Sequence, residues 1–481
     1  MVTTSILLFT LDLRLEDHPA LTAAAAEGAV IPLFVWDGSP GGKRPIGGAS
    51  RWWLAESLAA LSRELVERGS RLVLRSGDVA DAALAVAEAT GARSVHMSRA
   101  YEVGGARKTK ALEAKLQAKG IALAVHPGRL LLEPEALRTK GGEPFRVFTP
   151  FYRAALATGS FDRLLAVPRL QAPKTWPKSD RLEDWTLKPS RPDWARGFGA
   201  AWRPGEQGAA KRLEVFVDGP LRDYSELRNR PDIDGVSRMS PYLHFGEISP
   251  RRIWHRVSLA AEADPALAGG ATAYLRELVW RDFSHQLLTH WPSMQEKNLR
   301  RDFDAFPQRT DPAALKAWQR GSTGYPYIDA GLRELWATGW MHNRVRMAVA
   351  SFLIKHLLLP WQGGERWFWD TLVDADEAQN AQNWQWVAGS GADAAPYFRI
   401  FNPISQGRKF DPDGAYVRTW VPELARLPND LIHAPFEASP LELAAAGVVL
   451  GKTYPHPLVE HGAARDRALA AFETIKKSAA P

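Results

Sequence analysis

Residues 5–10 read SILLFT and residues 30–36 read VIPLFVW, and both runs are short and apolar. Three further runs of similar length follow at 71–75, 94–98 and 122–126. The segments between them are longer, and their apolar positions recur at helical spacing. Strands that alternate with helices are typical of a parallel sheet covered by helices on both faces. We therefore predict a Rossmann-like α/β domain, although no G-x-G-x-x-G fingerprint follows its first strand.

The character of the chain changes twice after this domain. Prolines recur from about residue 131 to residue 203 and interrupt any long helix or strand. Helical periodicities then dominate, at 209–216, 250–261, 271–290, 313–321, 328–338, 344–358 and 365–372. The sequence thus predicts an α/β domain over 1–130, a linker crossing the surface over 131–203, and an all-α domain over 204–481.

The composition excludes several kinds of site and favours one kind of partner. The 481 residues include no cysteine, which excludes disulfides, thiolate zinc sites, cysteine nucleophiles and iron–sulfur clusters. The net charge of +7 favours a polyanion such as nucleic acid. The 19 tryptophans suit core packing, but also stacking on a base or a planar cofactor. The start of the chain lacks a signal-peptide pattern, and no run of about 18 apolar residues occurs, so we expect a cytoplasmic protein without a membrane span.

A glycine and two serines precede Pro241 in the stretch 235–240, which reads GVSRMS. Backbone N–H groups and hydroxyls at the start of a helix suit a phosphate group. Ser240 ahead of Pro241 would equally serve as an ordinary helix N-cap. The residues leave both interpretations open.

Two further stretches place polar groups and aromatic rings on single helical faces. Glu277, Trp280 and Arg281 are spaced to share one face, which suits either a flat polar ligand or an exposed Glu–Arg pair beside a half-buried indole. In the second stretch, Asn343 and Met347 share a face, and we expect Arg344 and Arg346 to point elsewhere. The neighbouring His342 has no second metal ligand at helical spacing, which favours a packed or capping role.

The tract from Trp367 to Pro403 combines acids, amides and indoles. Asp374 and Asp376 lie close together, but they have no histidine partner and no EF-hand spacing. A metal-free site is the better interpretation. There the carboxylates and the amides that follow them hydrogen-bond the edge of a heterocycle, with indoles beside it.

Long motifs in a fixed order make the chain similar to a known family. They begin with DLRLEDHPAL at 12–21, continue with RVFTPF at 146–151, and are densest from 324 to 407. These motifs resemble the photolyase/cryptochrome family, specifically the bacterial cyclobutane pyrimidine dimer photolyases, and among these the class III branch. The resemblance implies an α/β domain joined by the linker to an all-α domain that binds FAD, in a monomer. It also implies light-driven DNA repair, in which excited reduced FAD passes an electron to a flipped-out dimer.

By resemblance, the helical domain holds FAD in a compact U shape. Tyr224 and the loop residues Val236, Ser237, Arg238, Met239 and Ser240 are assigned to the phosphates and ribose. The other residues assigned to the cofactor are Glu277, Trp280, Arg281, Trp340, Asn343, Arg346, Asp374, Ala375, Asp376 and Asn380. Asn380 is assigned to flavin N5, where charge or protonation changes with redox state. In this family an asparagine there accompanies the repair-competent, fully reduced flavin.

The same resemblance implies a cleft for damaged DNA. Its assigned residues are Glu277, Trp280, Asn343, Arg344, Met347, Trp386 and Arg399. Glu277 hydrogen-bonds the dimer and stabilises the anion formed on electron transfer, the two indoles form a wedge for the flipped bases, and the two arginines bind phosphates. Together with Asn380, the residues Glu277, Asn343 and Met347 form the predicted catalytic set. DNA binding further implies association with the nucleoid.

A chain of tryptophans photoreduces the resting flavin in this family. Trp384 matches its proximal member and Trp361 its middle member. The distal position falls on Gln308, so the usual surface tryptophan is missing. Trp318, Trp367 or Trp369 would then complete or divert the path, and the sequence does not choose among them.

The antenna site departs from the usual pattern. Many relatives bind methenyltetrahydrofolate through an Asn-Glu pair after Tyr-Glu-Val, whereas Tyr101–Val103 is followed here by two glycines. A Cys-Lys pair from the helical domain is replaced by Gln295 and Glu296. We therefore predict a 5,10-methenyltetrahydrofolate antenna at a displaced site, as in the class III branch.

Two other activities compete with dimer repair. A cryptochrome, a blue-light photoreceptor without repair activity, is expected to carry a C-terminal extension and often another residue in place of Asn380. A (6-4) photolyase of the eukaryotic type needs histidines where Asn343 and Met347 stand, and the bacterial type needs four cysteines for a cluster. The sequence therefore favours dimer repair.

Overall fold

The computed structural model describes residues 3–159, 161, 164–394 and 398–478, the side chains of 476–478 excepted. Residues 395–397, part of the tract predicted to face the flavin, lie outside the described residues. Within the described part, five strands form one sheet in the order β3-β2-β1-β4-β5. They are β1 Thr3–Phe9, β2 Gly28–Trp36, β3 Val73–Ser76, β4 Ser94–Ser98 and β5 Ala122–His126. Every neighbouring pair is parallel, so the predicted α/β domain is confirmed.

Helices make up most of the remaining chain. In the N-terminal half they are α1 Pro19–Glu27, α2 Gly48–Glu67, α3 Val79–Thr90, α4 Gly105–Gln117, α5 Phe148–Leu156 and α6 Phe198–Ala201. In the helical domain they are α7 Glu206–Asp218, α8 Tyr224–Leu227, α9 Ser240–His244, α10 Pro250–Ala263, α11 Ala268–His290, α12 Pro312–Gln319, α13 Pro326–Thr338, α14 Asn343–Ser351, α15 Trp361–Thr371, α16 Glu377–Ala388, α17 Pro403–Phe410, α18 Ala415–Trp420, α19 Pro440–Ala446 and α20 His461–Ser478. A π-helical turn, Phe352–His356, extends α14.

The alternation of side chains along the strands divides the interior in two. Ile6 and Leu8 of β1 face the layer of α3 and α4, where they form a separate apolar cluster. Leu7 and Phe9 face the other way and belong to a larger cluster that continues into the helical domain. Because one face of the sheet packs into the second domain, the two domains share one continuous core.

The segment after β1 joins the two domains through the side chain of Arg14, which binds backbone carbonyls. Arg14 is 1% exposed and donates hydrogen bonds to the carbonyls of Gly246 (3.0 Å), Asp17 (2.9 Å) and Gly128 (2.8 Å). The φ angle of Gly246 is +65°, and a Cβ there would collide with the backbone of Leu11. A glycine is therefore needed where this segment and the helical domain approach each other. The motif at residues 12–21, the first one of the family resemblance, therefore connects the two domains.

The stretch 131–203 is more ordered than a linker crossing the surface. It contains α5, whose Phe148 and Phe151 are buried against Phe283 of α11. The side-chain amide of Gln286 also donates to the carbonyl of Phe145 at 2.7 Å. The surface-linker prediction was wrong for this part, because the prolines mark where elements begin and end but do not report burial.

Two negative findings hold for the described residues only. None of their helices combines the length and hydrophobicity needed to cross a bilayer. No group of three or more of their His, Asp and Glu side chains could hold a metal ion.

Glu247 carries a testable pH dependence. Its buried carboxyl group accepts hydrogen bonds from Trp53 (3.1 Å), Ser57 (2.6 Å) and the Gly205 N–H (2.7 Å). Burial nevertheless raises the pKa of Glu247 from 4.5 to about 8. Because the folded pKa is raised, the stabilising contribution is fully present below pH 4.5 and is lost as pH rises through about 8.

We expect Glu247→Gln to flatten the decline of stability between these pH values. The slope should fall by up to about 1.4 kcal/mol per pH unit, because the titrating group is gone. Urea unfolding at intervals from pH 5 to pH 8 measures this slope. Identical slopes in wild type and variant would contradict the assignment.

Candidate active site

Asp374 is a buried carboxylate that binds the exposed Ser240 of α9 and the half-buried Arg346 of α14. One carboxylate oxygen, Oδ2, accepts hydrogen bonds from the Ser240 hydroxyl at 2.6 Å and from Arg346 at 2.8 Å. The other oxygen, Oδ1, is buried without a partner among the described residues. A buried acceptor of this kind fits a ligand that donates a hydrogen bond. The N-cap interpretation of Ser240 is wrong, because its hydroxyl binds Asp374 and makes no capping hydrogen bond.

The loop before α9 is held by an arginine that the sequence did not identify. Arg212 donates to the carbonyls of Ser237 (2.9 Å) and Val236 (2.8 Å). The next residue, Arg238, has a φ angle of +52°, which is uncommon for a residue other than glycine. Its guanidinium lies 4.9 Å from the ring centroid of Trp340, and its buried Nε has no hydrogen-bond partner among the described residues, although Oδ1 of Asp234 lies 3.5 Å away. The loop therefore presents a guanidinium beside a backbone that Arg212 holds in place, which suits an anion.

Met239 and Tyr224 lie beside this loop. Met239 is 2% exposed, and its N–H donates to the Ser237 hydroxyl at 3.3 Å. Tyr224 is buried at the start of α8, edge to face with Tyr274. Burial raises the pKa of the Tyr224 hydroxyl above its usual value, so this group stays a neutral donor.

Asp376 is the N-cap of α16 and faces two histidines, so the prediction that these acids have no histidine partner was wrong for Asp376. Its Oδ1 accepts the Gln379 N–H at 2.9 Å, and its Oδ2 lies 3.3 Å from His285 Nε2 and 3.6 Å from His244 Nδ1. Burial alone would raise the pKa of Asp376, but the two histidines hold it well below its usual range. The carboxylate therefore stays ionised. Its neighbour Ala375 is also buried and brings the chain from Asp374 to this second acid.

Asn380 is oriented by a glutamate outside the predicted site. Its Nδ2 donates to Oε1 (2.8 Å) and to the carbonyl (3.1 Å) of Glu365. Arg44 of the N-terminal half binds the same carboxylate with both guanidinium nitrogens, at 2.6 and 3.0 Å. The guanidinium of Arg44 also stacks 4.1 Å from the Trp369 ring. Glu365 and Arg44 were missed because their sequence separation from Asn380 gives no local signal.

The predicted electron-transfer indoles are all buried near α16. Trp384 and Trp318 lie edge to face with 6.2 Å between ring centroids, and Phe368 packs against both. Any side chain at Gly364 would collide with the Trp384 ring. The third indole, Trp361, is 2% exposed and donates to Asn298 at 2.9 Å.

A second group of indoles reaches the surface. Trp367 stacks on Trp336 with 5.9 Å between centroids, and Trp336 stacks on Trp194 at 5.2 Å. The side chain of Trp336 is 45% exposed. Trp367 therefore belongs to a stack of three indoles whose middle member, Trp336, is exposed to solvent.

An open cleft of about 670 Å³ gathers four of the predicted DNA-contacting residues, namely Arg344, Met347, Trp386 and Arg399. Arg344 donates to Asn229 at 3.0 Å, and its guanidinium lies over the Phe410 ring at 4.7 Å. The expectation that Arg344 points away from the face of Met347 was wrong. Both side chains line the same cleft. His342 caps the helix by accepting the Arg344 N–H, as predicted for that histidine.

The remaining predicted residues do not line this cleft and make other contacts. Glu277 pairs with Arg228 at 2.7 Å, and Arg281 turns inward to donate to the carbonyl of Arg129 at 2.7 Å. The simple Glu277–Arg281 surface pair is therefore wrong. Trp280 stacks on Phe148 with 3.5 Å between centroids. Asn343, the first residue of α14, is exposed.

Comparisons with known proteins identify this arrangement. A family profile described as "DNA photolyase" matches residues 5–174, and one described as "FAD binding domain of DNA photolyase" matches residues 274–474. The chain is 51% identical to a deoxyribodipyrimidine photo-lyase of Agrobacterium fabrum, over 98% of each protein. The chain belongs to the DNA photolyase family. The predicted family membership is thus confirmed.

Two more members of the photolyase family, one a class III photolyase and the other a cryptochrome, are similar to this chain over most of its length. A bacterial class III photolyase from Agrobacterium tumefaciens superposes with a TM-score of 0.95 at 50% identity, covering 99% of this chain and 98% of the other. Cryptochrome-2 of Arabidopsis thaliana is 39% identical, over 96% of this chain and 77% of its own. As a photolyase family member, this chain binds FAD in its helical domain.

The interdomain region beside Tyr101–Val103 is filled by this photolyase's own chain. The side chain of Glu102, which is 8% exposed, makes a two-point ion pair with Arg129, at 2.6 and 3.0 Å. Gly41 and Gly42 press against Glu102 so closely that a Cβ on either would require the glutamate to move. The Val103 N–H donates to Glu377 of the helical domain at 2.8 Å.

Proposed function

We propose that this protein is a deoxyribodipyrimidine photo-lyase, a carbon–carbon lyase that uses light to reverse cyclobutane pyrimidine dimers in DNA. The observation that carries the proposal is the juxtaposition of two sites. The Ser240–Asp374–Arg346 cluster supplies a buried acceptor for a flavin, and the nearby cleft is lined by three arginines, a lysine and an indole. The name and full-length identity of the Agrobacterium fabrum relative support it.

The residues that would hold FAD divide by chemistry. The loop 236–240 and Tyr224 offer N–H, hydroxyl and guanidinium groups for the phosphates and ribose. Asp374 and Asp376 accept hydrogen bonds from the flavin edge, and Arg281 and Arg346 balance their charges. When bound, the reduced flavin supplies the electron that opens the dimer. The protein itself excludes water and orients the reacting groups.

Asn380 is the residue we assign to flavin N5. Its Nδ2 is held by Glu365, so its amide cannot rotate freely. An asparagine cannot donate a carboxyl proton, whereas an aspartate at this position would be an acid beside N5. This supports repair over a photoreceptor role, which the cryptochrome relatives make the second candidate.

The cleft would take the flipped dimer between apolar and charged walls. Trp386 and Trp280 provide the wedge, Met347 and Asn343 contact the dimer, and Arg344 and Arg399 bind flanking phosphates. Glu277 hydrogen-bonds the dimer bases. In the free protein its charge is balanced by Arg228, which we add to the DNA-contacting set because it lies between Leu227 and Asn229, two residues that line the cleft.

For photoreduction of the resting flavin, we propose Trp384 as the first electron donor and Trp318 as its partner, on the strength of their edge-to-face contact. Trp361 is a second branch. The solvent-exposed stack that contains Trp367 offers an exit for the positive charge where Gln308 interrupts the usual path.

We further propose a 5,10-methenyltetrahydrofolate antenna at a site displaced from the usual interdomain pocket. Support comes from the region around Glu102, where Arg129 and the glycines 41 and 42 occupy the space beside Tyr101–Val103. Acid extraction of the purified protein followed by chromatography tests for the folate. We also propose that the protein is a cytoplasmic monomer that associates with the nucleoid through damaged DNA.

Illumination of the pre-reduced holoenzyme tests the main proposal. Oligonucleotides carrying a single thymine dimer, a (6-4) lesion or no lesion are exposed to blue light and then analysed by chromatography. Only the dimer should disappear, and only in the light. Flavin-containing protein that leaves the dimer intact would favour the photoreceptor alternative, and loss of the (6-4) lesion alone would change the substrate.

A further inference from the structure

Lys355, in the π-helical turn after α14, is buried without a balancing charge. Its side chain is 2% exposed, and its Nζ donates to the backbone carbonyl of Arg399. The Nζ also lies 4.3 Å from the ring centroid of Phe398. Among the described residues no carboxylate pairs with it. Single π-helical turns are rare and frequent at functional sites, which makes this lysine a candidate for a role beyond packing.

This burial is unfavourable for the folded state. Burial, and to a smaller extent the nearby positive charge of Arg399, together lower the pKa of Lys355 to about 7. A methionine of similar length would fill the same apolar surroundings without the cost of a buried charge. A buried charge without a partner lowers the stability of the folded state. We therefore expect a position that keeps such a charge to serve function.

The contact of Lys355 anchors one particular segment. Ser351 lies one helical turn before it, and its hydroxyl accepts the Phe401 N–H at 3.2 Å. Lys355 and Ser351 thus hold two backbone groups, the carbonyl of Arg399 and the N–H of Phe401. The segment they hold leads directly into α17, whose N-cap is Asn402. It also carries the Arg399 side chain to the rim of the cleft lined by Arg344 and Trp386.

We propose that Lys355 is a positioning residue for the DNA substrate, which fixes the carbonyl of Arg399 and thereby holds the Arg399 guanidinium at the cleft rim. The inference rests on the proposed contact of Arg399 with a DNA phosphate. Holding the arginine in place before binding removes part of the entropy cost of ordering it on DNA. The lysine itself never touches the DNA.

A double-mutant cycle tests this role. Lys355→Met, Arg399→Ala and the double variant are compared with wild type by the dissociation constant for dimer-containing DNA. We expect each single substitution to weaken binding by about tenfold, the scale of one lost charge-assisted contact. The double variant should bind no more weakly than Arg399→Ala alone, because Lys355 acts through Arg399.

Two readouts separate positioning from a structural role. The melting temperature of Lys355→Met should equal or exceed that of wild type, and its flavin content should be unchanged. Lys108→Met is the matched control: it also removes one positive charge, but Lys108 pairs with Asp37 in the N-terminal domain. We expect its DNA affinity to stay at the wild-type value.

The outcomes are distinguishable. If Arg399→Ala leaves DNA affinity unchanged, the phosphate assignment fails, and this inference fails with it. If Arg399→Ala weakens binding while Lys355→Met does not, or if the two effects add in full, only the positioning role is overturned. A Lys355→Met protein that unfolds or loses flavin also overturns it, because such a lysine would be structural.

Discussion

Replacing Asp374 by alanine is expected to lower the affinity for FAD by about 10- to 100-fold, since a hydrogen bond to a charged group contributes about 1.5–3 kcal/mol. The substitution removes the unpartnered acceptor Oδ1. It also leaves Arg346 and the Ser240 hydroxyl without the oxygen that both bind. The measurement is the flavin content of the purified protein, followed by titration of the apoprotein with FAD.

Asp370→Ala is the control for this prediction. Asp370 is a nearby carboxylate whose hydrogen bond goes to the Gly48 N–H at 2.8 Å, in the interface between the domains. We expect that variant to keep its flavin. Ser240→Ala should fall between the two, because it removes one hydrogen bond and no charge. Full flavin retention by Asp374→Ala would show that the cofactor lies elsewhere.

Replacing Trp384 by phenylalanine should abolish most of the photoreduction of oxidised flavin and leave repair by pre-reduced protein unchanged. The physical reason is that phenylalanine fills a similar space but is far harder to oxidise than an indole. Light-driven flavin reduction is followed by absorption in the presence of a thiol. Repair is measured separately, after chemical reduction.

Two further variants locate the path beyond Trp384. If the contact with Trp318 carries the charge, Trp318→Phe should slow photoreduction more than Trp361→Phe. The reverse order would assign the path to the family's usual middle position. Equal loss of photoreduction and repair in Trp384→Phe would mean that Trp384 is a structural indole.

The strands were predictable because their signal is local. The runs at 94–98 and 122–126 match β4 and β5 residue for residue, since each is a short apolar stretch between helices with clear ends. For β3 the prediction began two residues early, at Arg71, whereas the strand begins at Val73. The ends of β3 depend on which of its residues pair with β2. The sequence of β3 alone does not determine this pairing.

Helix α16 was harder to predict, although it carries Asn380, Trp384 and Trp386. Its buried positions include the polar side chains of Asn380, Gln382 and Gln385 as well as apolar ones. A helix that buries amides on the side facing a ligand lacks the polar and apolar faces that a periodicity search detects. These buried amides, of which only Asn380 is assigned to the flavin, therefore concealed the helix.

Contacts between distant segments were not predictable from spacing. Arg228 pairs with Glu277 across 49 residues, and Arg44 reaches Glu365 across 321. Asp374, Asp376 and Asn380 were identified because the acids and amides lie close together in one tract. Their partners were missed because only the fold brings them to that tract.

The central claim is that light moves an electron from the bound reduced flavin to a dimer held in the cleft of Arg344, Met347, Trp386 and Arg399. It is tested most directly by the fluorescence of the reduced holoenzyme, with DNA containing one thymine dimer and with the same DNA undamaged. We predict that the dimer quenches the emission, that undamaged DNA does not, and that continued illumination restores the emission as the dimer is split. Emission that stays unchanged when the protein is saturated with dimer DNA would contradict the account.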